Sequence, residues 1–226
     1  MATAAQMRTV LRGFWHLVRR HKFPSLVFFV LAALLGAAVF PHDQAWLRQL
    51  HFWPPDQEKI ARQISWYLGT WGDYPTYNLP LALVIWLYGV WSKSRAWRRL
   101  AVIGLLGATL AGLFDDFFRL TLGRPGPDAG VTDGFYGIAS AFQGKFQSFP
   151  SGHAAAVFGT AAALLVTDLP LGMVTTLIAL AVVWARMELN RHYPSDVLAG
   201  TAIGLYFGLM TGWGARVQVR RAAKAH

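Results

Sequence analysis

Two short stretches carry the residue types that do chemistry. Phe149-Pro-Ser-Gly-His153 and Ala185-Arg-Met-Glu-Leu-Asn-Arg-His-Tyr-Pro-Ser-Asp196 set two histidines, an arginine and an aspartate beside apolar segments that should cross a membrane. Imidazole and guanidinium groups are costly in lipid, so their presence there marks a task, and the combination fits the handling of phosphate at a membrane surface. Pro150 suits the first turn of a helix, whose free N–H groups near Ser151 and Gly152 form an anion cradle. Ser151 adds a hydroxyl donor, and Gly152 lets a phosphate approach the backbone. Taken alone, the tetrapeptide also reads as an ordinary helix start with His153 at the interface.

The second stretch changes that balance. His192 and Asp196 are four apart with Pro194 between them, so a helix starting near Pro194 puts Asp196 in its first turn, within reach of His192. A carboxylate on Nδ1 would fix the tautomer and leave Nε2 as a nucleophile. Arg186, near the outer end of the preceding apolar block, is a planar fork suited to phosphate oxygens. Separately, His192 could be an interfacial histidine beside Tyr193, and Arg186 and Arg191 snorkelling anchors. Their coincidence with His153 on one face is what favours a site. A third stretch, Arg119-Leu-Thr-Leu-Gly-Arg-Pro-Gly-Pro127, offers Arg119 and Arg124 as a phosphate clamp, with glycines and prolines turning the chain out of the membrane.

The elements that must position these residues are apolar blocks. The chain has 226 residues, 54% hydrophobic and 14% charged. Blocks at Pro24 to Phe40, Pro75 to Trp91, Leu100 to Phe118, Ser151 to Thr167, Leu171 to Arg186 and Val197 to Trp213 read as spans. The expectation is an all-α, polytopic membrane protein, six transmembrane helices in one bundle and one domain over 1–226, since no linker or fixed-period repeat divides it. The formal charge of +10 is explained by the positive-inside rule rather than by a nucleic-acid partner. Arg8, Arg12, Arg19, Arg20 and Lys22, then Lys93, Arg95, Arg98 and Arg99, then Arg216, Arg220, Arg221 and Lys224 all fall on one side if the spans alternate. That side is expected to be the cytoplasm, with both termini there, and Asp168 is the one acidic residue on it.

The same alternation puts the segments 119–153 and 186–196 together at the outer face, so charge bias and motif placement agree. Gly36-Ala-Ala38 resembles a signal-peptide cleavage region, but the long basic start with Phe14 and Trp15 favours an uncleaved anchor. The absence of cysteine excludes disulfides and thiolate metal sites. Met7, Val10, Leu11, Phe14 and Val18 form an apolar stripe in the basic segment 1–23, which either lies on an anionic leaflet or only sets topology. After Pro54-Pro55-Asp56, within the outer loop 41–74, Ile60, Ile64, Tyr67, Leu68 and Trp71 mark a second stripe: an interfacial helix, guarding a lipid entrance or simply packed there.

On these motifs the sequence resembles the type 2 phosphatidic acid phosphatase superfamily, integral-membrane lipid phosphatases related to vanadium haloperoxidases. The resemblance runs from about Arg119 to Gly200. It rests on Pro150-Ser-Gly-His153 and on Arg186, His192 and Asp196 at the family's spacing. It implies that His192 forms a phosphohistidine, that Asp196 orients it and that His153 protonates the leaving oxygen. It further implies that Arg186, Ser151 and the Gly152 N–H cradle the transition state, without metal or cofactor. Three positions depart from the family pattern. Ala185 replaces a serine, Arg119 occupies a lysine position, and Gly126 stands where an arginine precedes proline, with Arg124-Pro125 two residues earlier as its substitute.

The resemblance implies hydrolysis of a phosphomonoester or diphosphate on a membrane lipid: undecaprenyl diphosphate, phosphatidylglycerol phosphate, phosphatidic acid or the 1-phosphate of lipid A. The site would face the periplasm from a bacterial inner membrane, and the pH–rate profile would be bell-shaped. Phosphotransfer to a lipid acceptor through the same phosphohistidine is the neighbouring alternative. A non-catalytic lipid-binding or transport protein on the same scaffold, motivated by Gly126, is the one from another class.

Overall fold

Capping and turn residues divide the apolar runs into helices. A computed structural model describes residues 2–50, 53–54 and 57–224; Pro55 and Asp56, ahead of the second stripe, and the side chain of Lys224 lie outside what it describes. In chain order the helices are α1 (Ala2–Arg20), α2 (Lys22–Val39), α3 (Asp43–Leu50), α4 (Glu58–Trp71), α5 (Leu79–Trp91), α6 (Arg95–Leu122), the short α7 (Ile138–Ala141), α8 (Gly152–Thr167), α9 (Leu169–Glu188) and α10 (Pro194–Lys224). The all-α architecture expected from the apolar blocks is the one observed. Among the described residues there is no strand, only a parallel bridge between Arg124 and Gln147.

Four stretches, Lys22–Leu50, Arg95–Leu122, Leu169–Glu188 and Pro194–Arg221, are long and apolar enough to cross a membrane. The other two expected spans are shorter. α5 has 13 residues and is extended at its start by a π-helical turn, Tyr74–Asn78. α8 has 16 residues, about 24 Å at 1.5 Å per residue, which falls short of a hydrocarbon core of about 30 Å. Its surroundings explain why it can be short: α6, α9 and α10 enclose it, and Ala154, Val157, Ala161 and Leu164 are fully buried. Its side chains meet other helices, so lipid thickness does not set its length.

Glycines let these helices approach. On α10, Gly200, Gly204, Gly208 and Gly212 recur every four residues and all face α8; a Cβ at Gly204 would lie 2.7 Å from the Ala155 carbonyl oxygen. In lipid, helix association depends on such small-residue contact because apolar burial alone gives little drive. Gly159 of α8 makes the matching approach to α6, where its Cβ would lie 2.7 Å from the Gly107 carbonyl oxygen.

Both amphipathic stripes form helices, with different neighbours. In α1, Val10 and Phe14 are buried, Phe14 stacks on Phe207 of α10 at 5.9 Å, and Gly13 meets Gly214. The stripe is thus docked on the bundle, and Met7 is the part left exposed. In α4 the small residues Ala61, Ser65 and Gly69 are buried, and α4 packs on α9. Ile60, Ile64, Tyr67 and Trp71 are turned outward, which suits a helix whose other neighbour is lipid.

Candidate active site

α6 ends at Gly123, whose φ of 63° is left-handed, and the chain leaves the helix toward Arg124. The outgoing and returning arms of the following loop pair: the Ser148 N–H donates to the Arg124 carbonyl at 3.0 Å, and the Gly126 N–H to the Lys145 carbonyl at 3.1 Å. That pairing sets Ser148 beside Arg124 just before α8. The Ser151 side chain caps α8 by accepting the Ala154 N–H at 3.5 Å, and the Ser151 N–H donates to the Asp196 carbonyl at 3.1 Å. The 149–153 and 185–196 stretches are thereby tied together. After α9, Asn190 takes a left-handed φ of 54°, a conformation asparagine tolerates. The Arg191 N–H closes the turn on the Arg186 carbonyl at 3.0 Å, which presents His192 before α10 begins.

His192 is 5% exposed, and its Nδ1 lies 2.9 Å from the Ser148 carbonyl oxygen. A carbonyl only accepts, so Nδ1 carries the proton and Nε2 keeps its lone pair. Burial, with the Arg186 guanidinium and His153 nearby, pushes the His192 imidazole well below its usual range, which keeps it neutral. The His153 ring faces it, centroid to centroid 6.2 Å. His153 Nε2 lies 3.9 Å from Asp73 Oδ1, and Asp73 accepts the Tyr74 N–H at 2.8 Å where α4 turns into α5. A cavity of about 440 Å³ collects both histidines with Arg119, Arg186, Gly152 and Ser148, and Lys145 and Arg191 also line it. Three arginines and a helix N-terminus around paired imidazoles make the cavity suited to an anion, and an imidazole with a free lone pair beside a second imidazole is an arrangement capable of nucleophilic attack and proton transfer.

The structure also redistributes three expected roles. Asp196 does not hydrogen-bond His192: its Oδ2 stands 3.9 Å from Nδ1. It instead accepts the Ser148 hydroxyl at 2.6 Å and the Tyr193 N–H at 2.8 Å. Arg124, expected in the phosphate clamp, is fully buried beneath the cavity. It donates to Asp196 at 2.5 Å, Ser195 at 2.7 Å, Asp43 at 2.8 Å and Asp133 at 2.7 Å, between the rings of Phe40 and Tyr193. Burial alone would lower its pKa, but these carboxylates outweigh it and raise it above the usual value. Every face of the guanidinium is taken, which leaves no fork for a phosphate. Ser151 is fully buried beside the cavity lining, and its hydroxyl oxygen caps the helix.

Arg119 does line the cavity and pairs with Asp116 on its own helix. Ser148, Asp43, Asp73 and Asp133 are the participants that sequence reasoning missed. Asp43 accepts both the Ser195 N–H at 2.8 Å and the Ser195 hydroxyl at 2.5 Å, from 152 residues away, and no local pattern announces it. Asp115 was missed too; it is fully buried, both carboxylate oxygens lack a hydrogen-bond partner among the described residues, and its Oδ2 would lie 3.3 Å from a Cβ at Gly152.

Comparison with known proteins adds to this geometry. The family model described as "PAP2 superfamily" matches residues 100–219, which hold the whole cavity lining. A lipid A 1-phosphatase of Rhizobium johnstonii is 33% identical over 134 residues, covering 55% of this chain and 54% of that protein. One of Rhizobium etli is 32% identical over 134 residues, covering 55% and 56%. The chain thus spans about half the length of these relatives. Among solved structures, the transmembrane PAP2 type phosphatidylglycerolphosphate phosphatase of Bacillus subtilis superposes with a TM-score of 0.55 at 18% identity, covering 87% of this chain and 96% of that one. That likeness is one of fold.

Proposed function

The chain belongs to the PAP2 superfamily, and on that premise we propose that it is a membrane lipid phosphatase working through a phosphohistidine on His192. The observation that carries the reading is the facing pair His192 and His153, with the Nδ1 of His192 locked on the Ser148 carbonyl at 2.9 Å. Nε2 of His192 attacks phosphorus. The N–P bond forms as the bond to the lipid oxygen breaks, and His153 gives its proton to the leaving oxygen. Water then attacks the phosphohistidine, His153 takes the water's proton, and inorganic phosphate leaves with His192 restored. Arg186, Arg119 and the first N–H groups of α8 hold the phosphoryl oxygens, supplying the positive charge that a metal would otherwise bring.

The substrate class we favour is a phosphate on a lipid-embedded sugar, of the lipid A 1-phosphate kind. The relatives named lipid A 1-phosphatase, matching at 33% and 32% identity, support that choice over undecaprenyl diphosphate, phosphatidylglycerol phosphate and phosphatidic acid. In the bilayer we place six spans, with α5 and α8 as the short ones, both termini in the cytoplasm and the histidines facing the periplasm. The test is phosphate release from these four lipids by purified protein with chelator present, with His192→Ala as control. Release from lipid A that disappears in the variant supports the reading. Release requiring an added divalent cation, or surviving in the variant, contradicts it, and label moved from donor to a second lipid would reassign the enzyme to phosphotransfer.

A further inference from the structure

We infer that the end of the bundle opposite the histidines carries a binding site for the headgroup of an anionic phospholipid, in a groove between the junction of α1 with α2 and the C-terminal part of α10. The groove has a volume of about 510 Å³; His21, Arg216 and Arg220 form its polar rim, and Leu17, Met210 and Trp213 are among its apolar walls. The site is independent of the catalytic reading.

Its depth in the membrane follows from helix geometry. Asp196 and Arg216 stand about 20 residues apart on α10, about 30 Å at 1.5 Å per residue. That is one hydrocarbon core, so the groove sits at the surface opposite the catalytic cavity. The docking of α1 on α10, with Gly13 against Gly214, builds one wall and holds the cations in place.

The cations there are not neutralised from within. Among the described residues, Arg216 and Arg220 enter no ion pair. Arg221 lies 3.0 Å from His16 Nε2, an imidazole rather than a carboxylate. The nearest acid, Asp168, faces a neighbouring recess together with Arg99, Arg216 and Arg220. One of its oxygens already accepts the Leu171 N–H at 3.1 Å to cap α9. Adjacent cations without carboxylate counterions favour an anion from outside.

The apolar walls decide which anion. A soluble phosphate gains nothing from Leu17, Met210 and Trp213, whereas a phospholipid lays the start of an acyl chain along them. Beyond Pro24 the surface continues as Leu26, Val27 and Val30 of α2, all exposed. A phosphodiester headgroup pairs with Arg216 and Arg220 while its chain follows α2 into the bilayer.

The experiment is native mass spectrometry of the full chain released from micelles containing equal phosphatidylglycerol and phosphatidylcholine. The expected result is one phosphatidylglycerol retained in preference to phosphatidylcholine. Retention should fall at least tenfold in Arg216→Gln/Arg220→Gln and in Met210→Trp, which keeps every charge but fills the groove. Arg8→Gln/Arg12→Gln removes the same charge from the same end outside the groove and should retain the lipid. Equal retention of the two lipids by the unmodified protein overturns the proposal without recourse to any variant. Equal loss in both arginine pairs overturns it as well, since that is the behaviour of diffuse surface charge.

Discussion

Asp196 reaches the His192 imidazole through Ser148. The Ser148 hydroxyl donates to the carboxylate at 2.6 Å, its carbonyl faces Nδ1 of the imidazole at 2.9 Å, and carboxylate and imidazole stand 3.9 Å apart. One residue thus passes the position of the Arg124–Asp196 network to the ring. Ser148→Ala removes the hydroxyl and keeps the carbonyl, so tautomer is preserved and orientation loosened. At about 1 kcal/mol for the lost hydrogen bond, kcat should fall about fivefold to tenfold with KM little changed. Steady-state kinetics check this, and an unaltered kcat would remove Ser148 from the positioning chain.

Arg124 and Arg186 should separate cleanly when each is replaced by alanine. Arg124→Ala strips the buried partner from Asp43 and Asp196 and opens the pair with Asp133, a loss of about 3–5 kcal/mol for unpaired buried charge. Its signature is a lower unfolding temperature. Arg186→Ala should leave that temperature nearly unchanged and lower kcat/KM about a hundredfold or more, as removal of a transition-state donor does. Thermal unfolding in detergent beside kinetics distinguishes them; the reverse pattern would put Arg124 back in the clamp.

The acid limb of kcat/KM should lie below pH 6.5. Protonating His192 removes the attacking lone pair, and burial together with the Arg186 charge depresses its pKa from 6.5. The folded protein therefore takes up that proton only at lower pH. Stability has the same sign: the unfolded chain binds the proton near 6.5 and the folded one does not, so the contribution is full above 6.5 and is lost as pH falls below it. Arg186→Ala removes the second cause and should move the limb upward in the residual activity.

The α8–α10 contact should not tolerate bulk. A Cβ at Gly204 already meets the Ala155 carbonyl oxygen at 2.7 Å and the Phe158 Cβ at 2.8 Å, so Gly204→Val must push the helices apart. The expected cost is about 1–3 kcal/mol, read as a lower unfolding temperature. Because α8 and α10 carry His153 and Asp196, activity should fall with it. Gly36→Val, at a position with open space around it, is the silent control.

What the sequence discloses follows the range of each interaction. Helix existence depends on local apolar runs and is legible in them, and the two short stretches that hold His153, Arg186 and His192 stand out locally and converge on one cavity. The glycines at 200, 204, 208 and 212 form a packing stripe whose four-residue period lies in the sequence itself, among apolar neighbours that mask it. Roles set by distant partners were not legible. Arg124 looks like a phosphate ligand until Asp43, 81 residues earlier, and Asp196, 72 residues later, close around it. Ser148 lies outside both motifs, and only the loop pairing that brings it beside Arg124 gives it a role. α8 reads as an ordinary span because its sequence does not reveal that three helices, rather than lipid, surround it.

The most direct measurement is rapid acid-free quenching of turnover on lipid A labelled in its 1-phosphate, followed by denaturing electrophoresis and peptide mapping. Phosphoryl label on His192, stable to alkali and lost in acid, that accumulates in His153→Ala and is absent from His192→Ala, is the result predicted. Turnover with no label on His192 under conditions that preserve phosphohistidine, or turnover persisting in His192→Ala, would contradict the mechanism.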